Sequence, residues 1–299
     1  MVNPMLERTA KVAEAIIRGA RRRQTMPTQV REMASGIVTC ALYPFGFFDA
    51  GPGGRMRSNR GADSSSTPVL LVHGYLANKS NWYFVERELR EVGFDRIHAM
   101  NYSPRHADVD RLAETCVLRA HEVMAACGSD RIHLVGHSLG GLVIRKATQE
   151  FGLGEAASVV TVATPHGGVD LARLTGMTRS RNAIAAQLRP GSAWLRALWA
   201  DARAMPDTRF VAYYSNLDLL VPGRRAMMLE PQLAATNILM KDHGHLSVML
   251  APALARSIAQ ELAAIDGIEG YGSPVSGLPA SAATVDDAVV AQPAVRAAR

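Results

Sequence analysis

From Pro68 onward the chain alternates short, β-branched apolar runs with longer stretches whose apolar residues recur at helical spacing. The runs predict strands at Val69 to His73, Arg96 to Met100, Arg131 to Gly136, Ser158 to Ala163, Arg209 to Ser215 and Asn237 to Met240. Between them the pattern predicts helices at Asn81 to Val92, Val109 to Ala126, Leu139 to Phe151, a broken pair within Val169 to Ala204, and Leu246 to Ile265. In the second of these, Leu112, Cys116, Leu118, Ala120, Val123 and Met124 make an apolar stripe. Strands so apolar throughout, alternating with helices, imply a mostly parallel sheet covered on both faces. Right-handed crossovers then give a doubly wound α/β domain over residues 67–267. Its connection over about residues 169–207 is longer than a crossover needs, and reads as a helical lid insertion.

Two flanking segments break this pattern. Residues 1–66 form an extension in which 5–24 read as an amphipathic helix, with Leu6, Ala10, Ala13, Ile16, Ile17 and Ala20 on one face. Residues 36–50 are apolar and aromatic, but Pro44 would interrupt a helix, and 51–67, rich in Gly, Arg and Ser, read as a linker. Residues 268–299 are rich in Ala, Val, Pro and Ser without a period and are expected to be a disordered tail.

Charge sharpens the division. Residues 1–60 hold ten Lys and Arg against four acids, which accounts for the whole formal charge of +6, so the remainder is neutral. The basic character therefore belongs to the extension, and no case for nucleic-acid binding rests on the main body. At 48% hydrophobic and 20% charged, the composition excludes a wholly disordered chain. No apolar run reaches the ~18 residues that a membrane-spanning helix needs. Cys40, Cys116 and Cys127 match neither a disulfide framework nor a zinc pattern, and no acidic cluster suggests a metal; no cofactor is expected. Calcium held by scattered loop oxygens stays open.

The sharpest chemical signal is Gly136-His137-Ser138-Leu139-Gly140-Gly141, directly after the strand Ile132 to Val135 and directly before a helix. A bare G-x-S-x-G is not rare, and a Gly-rich turn with an incidental Ser is the lesser alternative to be weighed against it. Its strand-turn-helix setting is what a nucleophile elbow requires, with Ser138 exposed on a strained backbone and glycines letting neighbouring chain approach. Serine is a weak nucleophile at neutral pH, so it needs a base, and the base an orienting acid. After Ser138 only His166, His243 and His245 remain. His245 and His243 both follow the last strand, and His245, at the start of the final helix, is the better placed. His166, in Thr164-Pro165-His166-Gly167-Gly168, precedes any candidate acid and reads as a shaper of the pocket floor or lid root.

For the acid, Asp218 ends the strand region Tyr213-Tyr214-Ser215-Asn216-Leu217, although an Asp there is otherwise an ordinary turn residue. Asp242 lies too near His245 in sequence and Asp207 precedes its strand. An oxyanion needs two backbone N–H groups, each worth ~3–4 kcal/mol in the transition state. Leu139, after the nucleophile, and Tyr75, in Val72-His73-Gly74-Tyr75 after the first strand, are the candidates. His73 reads as a structural hydrogen-bonder of that loop.

These motifs, with Ser215-Asn216-Leu217-Asp218, Val221-Pro222 and Gly244-His245-Leu246, together resemble bacterial lipases and esterases of the α/β-hydrolase superfamily. Gln187-Leu188-Arg189-Pro190-Gly191-Ser192 is similar to the lid region of that group. The resemblance covers about residues 67–266 and implies carboxylic-ester hydrolysis by Ser138, with His245 as base and then acid and Asp218 holding it. The large apolar residues of the insertion (Leu171, Leu174, Met177, Ile184, Leu188, Trp194, Leu195, Leu198, Trp199) either pack it on the body or line an acyl pocket. The second role favours medium or long acyl esters.

An acyltransferase or thioesterase would use the same triad. A non-catalytic binding module would normally have lost part of it. The extension reads as a docking arm or as a peripheral anchor, in which Arg21, Arg22 and Arg23 meet anionic headgroups and Phe45, Phe47 and Phe48 enter the interface. With no signal-peptide pattern in residues 1–30, a cytoplasmic or peripheral-membrane location is expected.

Overall fold

Six parallel strands carry the molecule. They are β1 (Val69–Val72), β2 (Ile97–Met100), β3 (Ile132–His137), β4 (Ala156–Val162), β5 (Arg209–Tyr214) and β6 (Thr236–Leu239). The computed structural model describes residues 30, 32–36, 39, 66–75, 77–103, 108–169, 183–271 and 278–279. The sheet order is β2-β1-β3-β4-β5-β6, closed by a two-residue antiparallel strand β7 (Leu278–Pro279) on β6. Each predicted strand is present to within two residues at either end. β7 lies in the segment expected to be a disordered tail. Its Leu278 pairs with Asn237 and its Pro279 with Thr236, at the sheet edge where a proline is tolerated.

Alternating side chains of the central strands feed two layers, as a sheet buried on both faces requires. Leu70, Val72, Ile132, Leu134 and Val159 join a core with α2 (Val109–Cys127) and α3 (Leu139–Gln149). Val69, Leu71, Val135, Val160 and Val162 join the opposite core, with α1 (Tyr83–Val92) and α6 (Pro252–Ile265). On α2 the expected stripe is buried except for Leu118, which is exposed.

The predicted helix from Leu246 to Ile265 is two elements. A 3-10 turn, Ser247–Leu250, stops at Ala251, whose extended backbone (φ −79°, ψ 116°) is what a residue before proline prefers. Pro252 then starts α6, where its missing N–H costs nothing. The first helix likewise begins as a 3-10 turn, Lys79–Trp82, capped by the Asn78 side chain.

Within the long insertion the described residues form α4 (Ala183–Gln187) and α5 (Ala193–Ala200). Asp110 of α2 pins both, accepting from Gln187 Nε2 at 3.0 Å and from Trp194 Nε1 at 3.0 Å. Leu171, Leu174 and Met177, the amphipathic helix expected over 5–24, and the segment 40–65 lie outside the described residues. Of the extension, residues 32–36 are helical.

At the edge where the strands begin, His133 is wholly buried. Its Nδ1 faces Ser158 Oγ at 2.8 Å and its Nε2 faces Asp266 Oδ1 at 3.0 Å. Asp266 also accepts from the backbone N–H and hydroxyl of Thr67, at 2.8 and 2.9 Å. Burial alone would raise the Asp266 carboxyl, but the His133 and Thr67 hydrogen bonds outweigh it and hold it below its ordinary range.

Candidate active site

The strand order reverses at β1, which has β2 on one side and β3 on the other. That is the switch point of a doubly wound sheet, where ligands bind beyond the carboxyl ends of the strands. The loop after β1 and the turn after β3 flank this point.

The turn after β3 is sharp. Ser138 has φ 52° and ψ −120°, a region that non-glycine residues rarely occupy. Its amide donates to Val162 O at 2.9 Å, which secures the turn to β4. The strain is tolerated because the surrounding chain is close. A Cβ on Gly140 would sit 2.2 Å from Val72 O and 2.5 Å from His73 O. Glycine there lets α3 start against the end of β1, bringing the nucleophile turn and the β1 loop together. Ser138 is half-buried while its neighbours His137 and Leu139 are buried, so Ser138 is the residue of the turn that solvent can reach.

Ser138 Oγ lies 3.0 Å from His245 Nε2, and His245 Nδ1 lies 2.8 Å from Asp218 Oδ2. The Asp218 carboxylate can only accept, so Nδ1 carries the proton and Nε2 is left to accept the Ser138 hydroxyl. Asp218 is itself held, with Oδ1 accepting from Leu220 N at 2.9 Å and Val221 N at 2.8 Å. It is thus a turn residue and a partner of His245 at once, one oxygen for each job. His243 does not reach the serine; its Nδ1 donates to Lys241 O at 2.6 Å. Asp242 donates its amide to Asn216 Oδ1 at 3.0 Å, and the Asp207 carbonyl accepts from Arg131 at the far end of the sheet.

The β1 loop abuts the nucleophile: a Cβ on Gly74 would sit 3.1 Å from Ser138 Cβ. Tyr75 follows directly. Neither its amide nor that of Leu139 donates to a backbone or side-chain acceptor among the described residues. His73 locks this loop. Its ring stacks on Tyr102 at 4.3 Å, its Nδ1 donates to Gly74 O at 2.8 Å, and Tyr102 Oη donates to His73 O at 2.6 Å. Burial lowers the His73 ring to about 4, against a smaller opposing effect of the Gly74 carbonyl, so it stays neutral.

Three polar groups that sequence reasoning did not single out for roles here complete the surroundings. Asn81 Nδ2 donates to His137 Nδ1 at 3.3 Å, leaving His137 Nε2–H to reach the carbonyl of His245, also at 3.3 Å. Burial, reinforced by the neighbouring His245, keeps the His137 ring well below its ordinary pKa. Arg145 is buried on α3. It donates to Gln149 Oε1 at 3.0 Å, to His166 Nδ1 at 3.1 Å, to Leu198 O of α5 at 3.5 Å, and to Glu230. His166 passes its Nε2–H to Thr161 Oγ1 at 3.1 Å and is neutral, mainly through burial and then through Arg145. It therefore sits at the root of the insertion, tied to the helix that follows Ser138. No group of three or more His, Cys, Asp or Glu suited to a metal occurs among the described residues.

A switch point flanked by a strained serine and a histidine-carboxylate pair defines a class of proteins. Residues 69–227 match the model of the alpha/beta hydrolase family, and the chain belongs to that family. It is 33% identical over 113 residues to a triacylglycerol lipase of Pseudarthrobacter phenanthrenivorans, covering 35% of this chain and 35% of that protein. A triacylglycerol lipase of Burkholderia plantarii is also 33% identical over 113 residues, covering 35% of this chain and 31% of that protein. The chain thus spans about a third of the length of the curated relatives it matches. Among solved structures, Bacillus licheniformis lipase BlEst2 in mature form superposes with a TM-score of 0.53 at 17% identity, over 62% of this chain and 88% of that one. Aspergillus fumigatus lipase B superposes with a TM-score of 0.56 at 16% identity, over 70% of this chain and 55% of that one. These two likenesses concern the fold.

Proposed function

We propose that the protein hydrolyses carboxylic esters through Ser138, His245 and Asp218. The hydrogen-bonded line from Ser138 Oγ through His245 to Asp218 Oδ2, at 3.0 and 2.8 Å, carries the reading. His245 Nε2 takes the hydroxyl proton as Ser138 Oγ bonds to the ester carbonyl carbon, and the carbonyl oxygen becomes an oxyanion held by the amides of Tyr75 and Leu139. The bond to the alkoxy oxygen then breaks, and the alcohol leaves with the proton that His245 took. Water gives a proton to the same ring and its oxygen to the acyl carbon, releasing the acid and restoring Ser138. Asp218 keeps Nδ1 protonated throughout and stabilises the transient imidazolium.

Medium or long acyl esters are the proposed substrates. The curated relatives bear the name triacylglycerol lipase, and large apolar residues stand open on the surface. Leu219, next to Asp218, is 66% exposed and Trp199 of α5 is 44% exposed. Ile184, Leu188, Leu195 and Leu198 are buried in the core beside α3, and hold the insertion on the body. Peripheral contact with anionic membranes through Arg21, Arg22 and Arg23 is the companion proposal for the basic extension; among the described residues no helix is long and apolar enough to cross a membrane. Vesicle flotation of the full chain, with and without alanines at these three arginines, tests it, and equal flotation rejects it.

The decisive experiment for the chemistry is labelling with a fluorophosphonate and turnover of a p-nitrophenyl ester series from acetate to palmitate. The wild type should label and turn over, with longer chains preferred, and Ser138→Ala should do neither while remaining folded. Retained turnover in the alanine variant would reject the assignment. Transfer of the acyl group to an added alcohol, outpacing hydrolysis, would make the protein an acyltransferase instead.

A further inference from the structure

We propose that Glu32, in the segment that precedes the sheet, is a positioning residue for His245. The inference rests on the assignment of His245 as the base of Ser138. Glu32 Oε2 accepts the backbone N–H of Leu246 at 3.0 Å and Oε1 accepts that of Ser247 at 2.9 Å. Each oxygen thus holds one of the two amides that directly follow His245. Hydrogen bonds to a charged acceptor are roughly twice as strong as neutral ones, and a two-point grip fixes orientation as well as position.

The residue before His245 is shaped for the same carboxylate. A Cβ at Gly244 would lie 2.3 Å from Glu32 Cδ and 2.5 Å from Oε1, so the carboxylate rests directly on that glycine. Gly244 is not among the residues with positive φ, so its backbone would accept alanine, and the three atoms nearest such a methyl group all belong to Glu32. On the inner side, His137 Nε2 holds the His245 carbonyl at 3.3 Å. The peptide that carries the imidazole is therefore clamped from both sides, by a core residue within and by the extension without.

The segment's own side chains point to the same anchoring. Met33 is 71% exposed and Val30 is 40% exposed, so these apolar neighbours are not what seats it. Among the described residues of the segment, the hydrogen bonds to the His245 loop come from Glu32. Catalysis needs the imidazole placed to within a fraction of an ångström, since a misplacement of about 1 Å can cost around a hundredfold. Glu32 acts on turnover through the loop and touches no substrate.

Full-chain Glu32→Ala, Glu32→Gln and Gly244→Ala test this. In all three, kcat for a p-nitrophenyl ester and the rate of fluorophosphonate labelling should fall about tenfold to a hundredfold, with KM within about twofold. Gln should fail like Ala, because its amide group would face a backbone N–H that needs an acceptor. Since the two lesions disrupt one contact, Glu32→Ala combined with Gly244→Ala should be no slower than Glu32→Ala alone. Unchanged kcat and labelling in both Glu32 variants would overturn the inference, even if their melting temperatures fell. Should a Glu32 variant not fold, Gly244→Ala decides alone: wild-type kcat and labelling rates there would overturn the inference. A wild type that neither labels nor turns over esters would overturn the base assignment itself, a result distinct from the first.

Discussion

Asp218 divides its two carboxylate oxygens between its own loop and His245: Oδ1 takes the amides of Leu220 and Val221, and Oδ2 takes His245 Nδ1 at 2.8 Å. The imidazole is therefore held in its tautomer by a group whose own orientation is fixed by backbone. Asp218→Asn should keep the turn largely intact but present an N–H donor or a weaker acceptor to Nδ1. The expected loss in kcat is on the order of 10⁴-fold with little change in melting temperature. Asp218→Ala should lose activity and also about 1–3 kcal/mol of stability, because one buried and one part-buried amide lose their acceptor. Kinetics paired with thermal melts separate the two; an Asn variant within tenfold of wild type would sink the role.

Gly140 should be irreplaceable for a steric reason. A methyl group there would press on Val72 O at 2.2 Å and push α3 away from β1, moving Ser138 from the Tyr75 loop. Gly140→Ala is expected to aggregate or to lose at least about a hundredfold in kcat. Gly154 is the control, since a Cβ there meets nothing within 4 Å. Alanine at 154 should change stability by less than about 1 kcal/mol. Equal behaviour of the two variants in solubility and turnover would refute the argument.

Much of this site was legible in the sequence because its signals are local. A strand, a tight glycine-flanked serine and a helix occupy adjacent positions, and chain order together with position at the end of a predicted strand points to His245 and Asp218 among the candidates that follow Ser138. The supporting groups are different in kind. Asn81, His137 and Glu32 act on partners 56, 108 and more than 200 residues away, and no periodicity or spacing announces such a contact. The strand order has the same status, because the reversal at β1 is a property of pairing. The break at Ala251 was available in the proline that follows, but the apolar pattern runs through it and hides the interruption.

Asp110 should govern how firmly the insertion is seated. It accepts from Gln187 of α4 and from Trp194 at the start of α5, and lies 3.3 Å from Lys146 of α3. Asp110→Ala is expected to cost about 1–2 kcal/mol and to open residues 183–200 to limited proteolysis. If the insertion shapes the acyl site, KM for long-chain esters should rise more than KM for acetate. An unchanged proteolytic pattern would show that Asp110 is dispensable.

Three buried histidines set an acid limit on stability. His73, His137 and His166 are kept neutral by burial in the folded protein, with rings below the ordinary value of 6.5. Below that value the unfolded chain binds protons that the folded one refuses. Stability is therefore full above it and declines as pH falls through it, by at most about 1.4 kcal/mol per pH unit for each ring. For His73 the decline levels off near 4. Urea denaturation at about pH 7.5, 6.5 and 5.5 measures this, and a flat stability over that window contradicts it.

The bond between Thr67 and Asp266 also has a topological meaning. Thr67 stands just before β1 and Asp266 just after α6, and they touch at 2.8 Å on the edge of the sheet remote from Ser138. The run from β1 through α6, which holds all six parallel strands, thus begins and ends at the same side of the sheet. A splice of a few residues joining those points would let new termini open at a distant surface turn while β1 to β6 keep their order, at the loss of the short β7 beside β6.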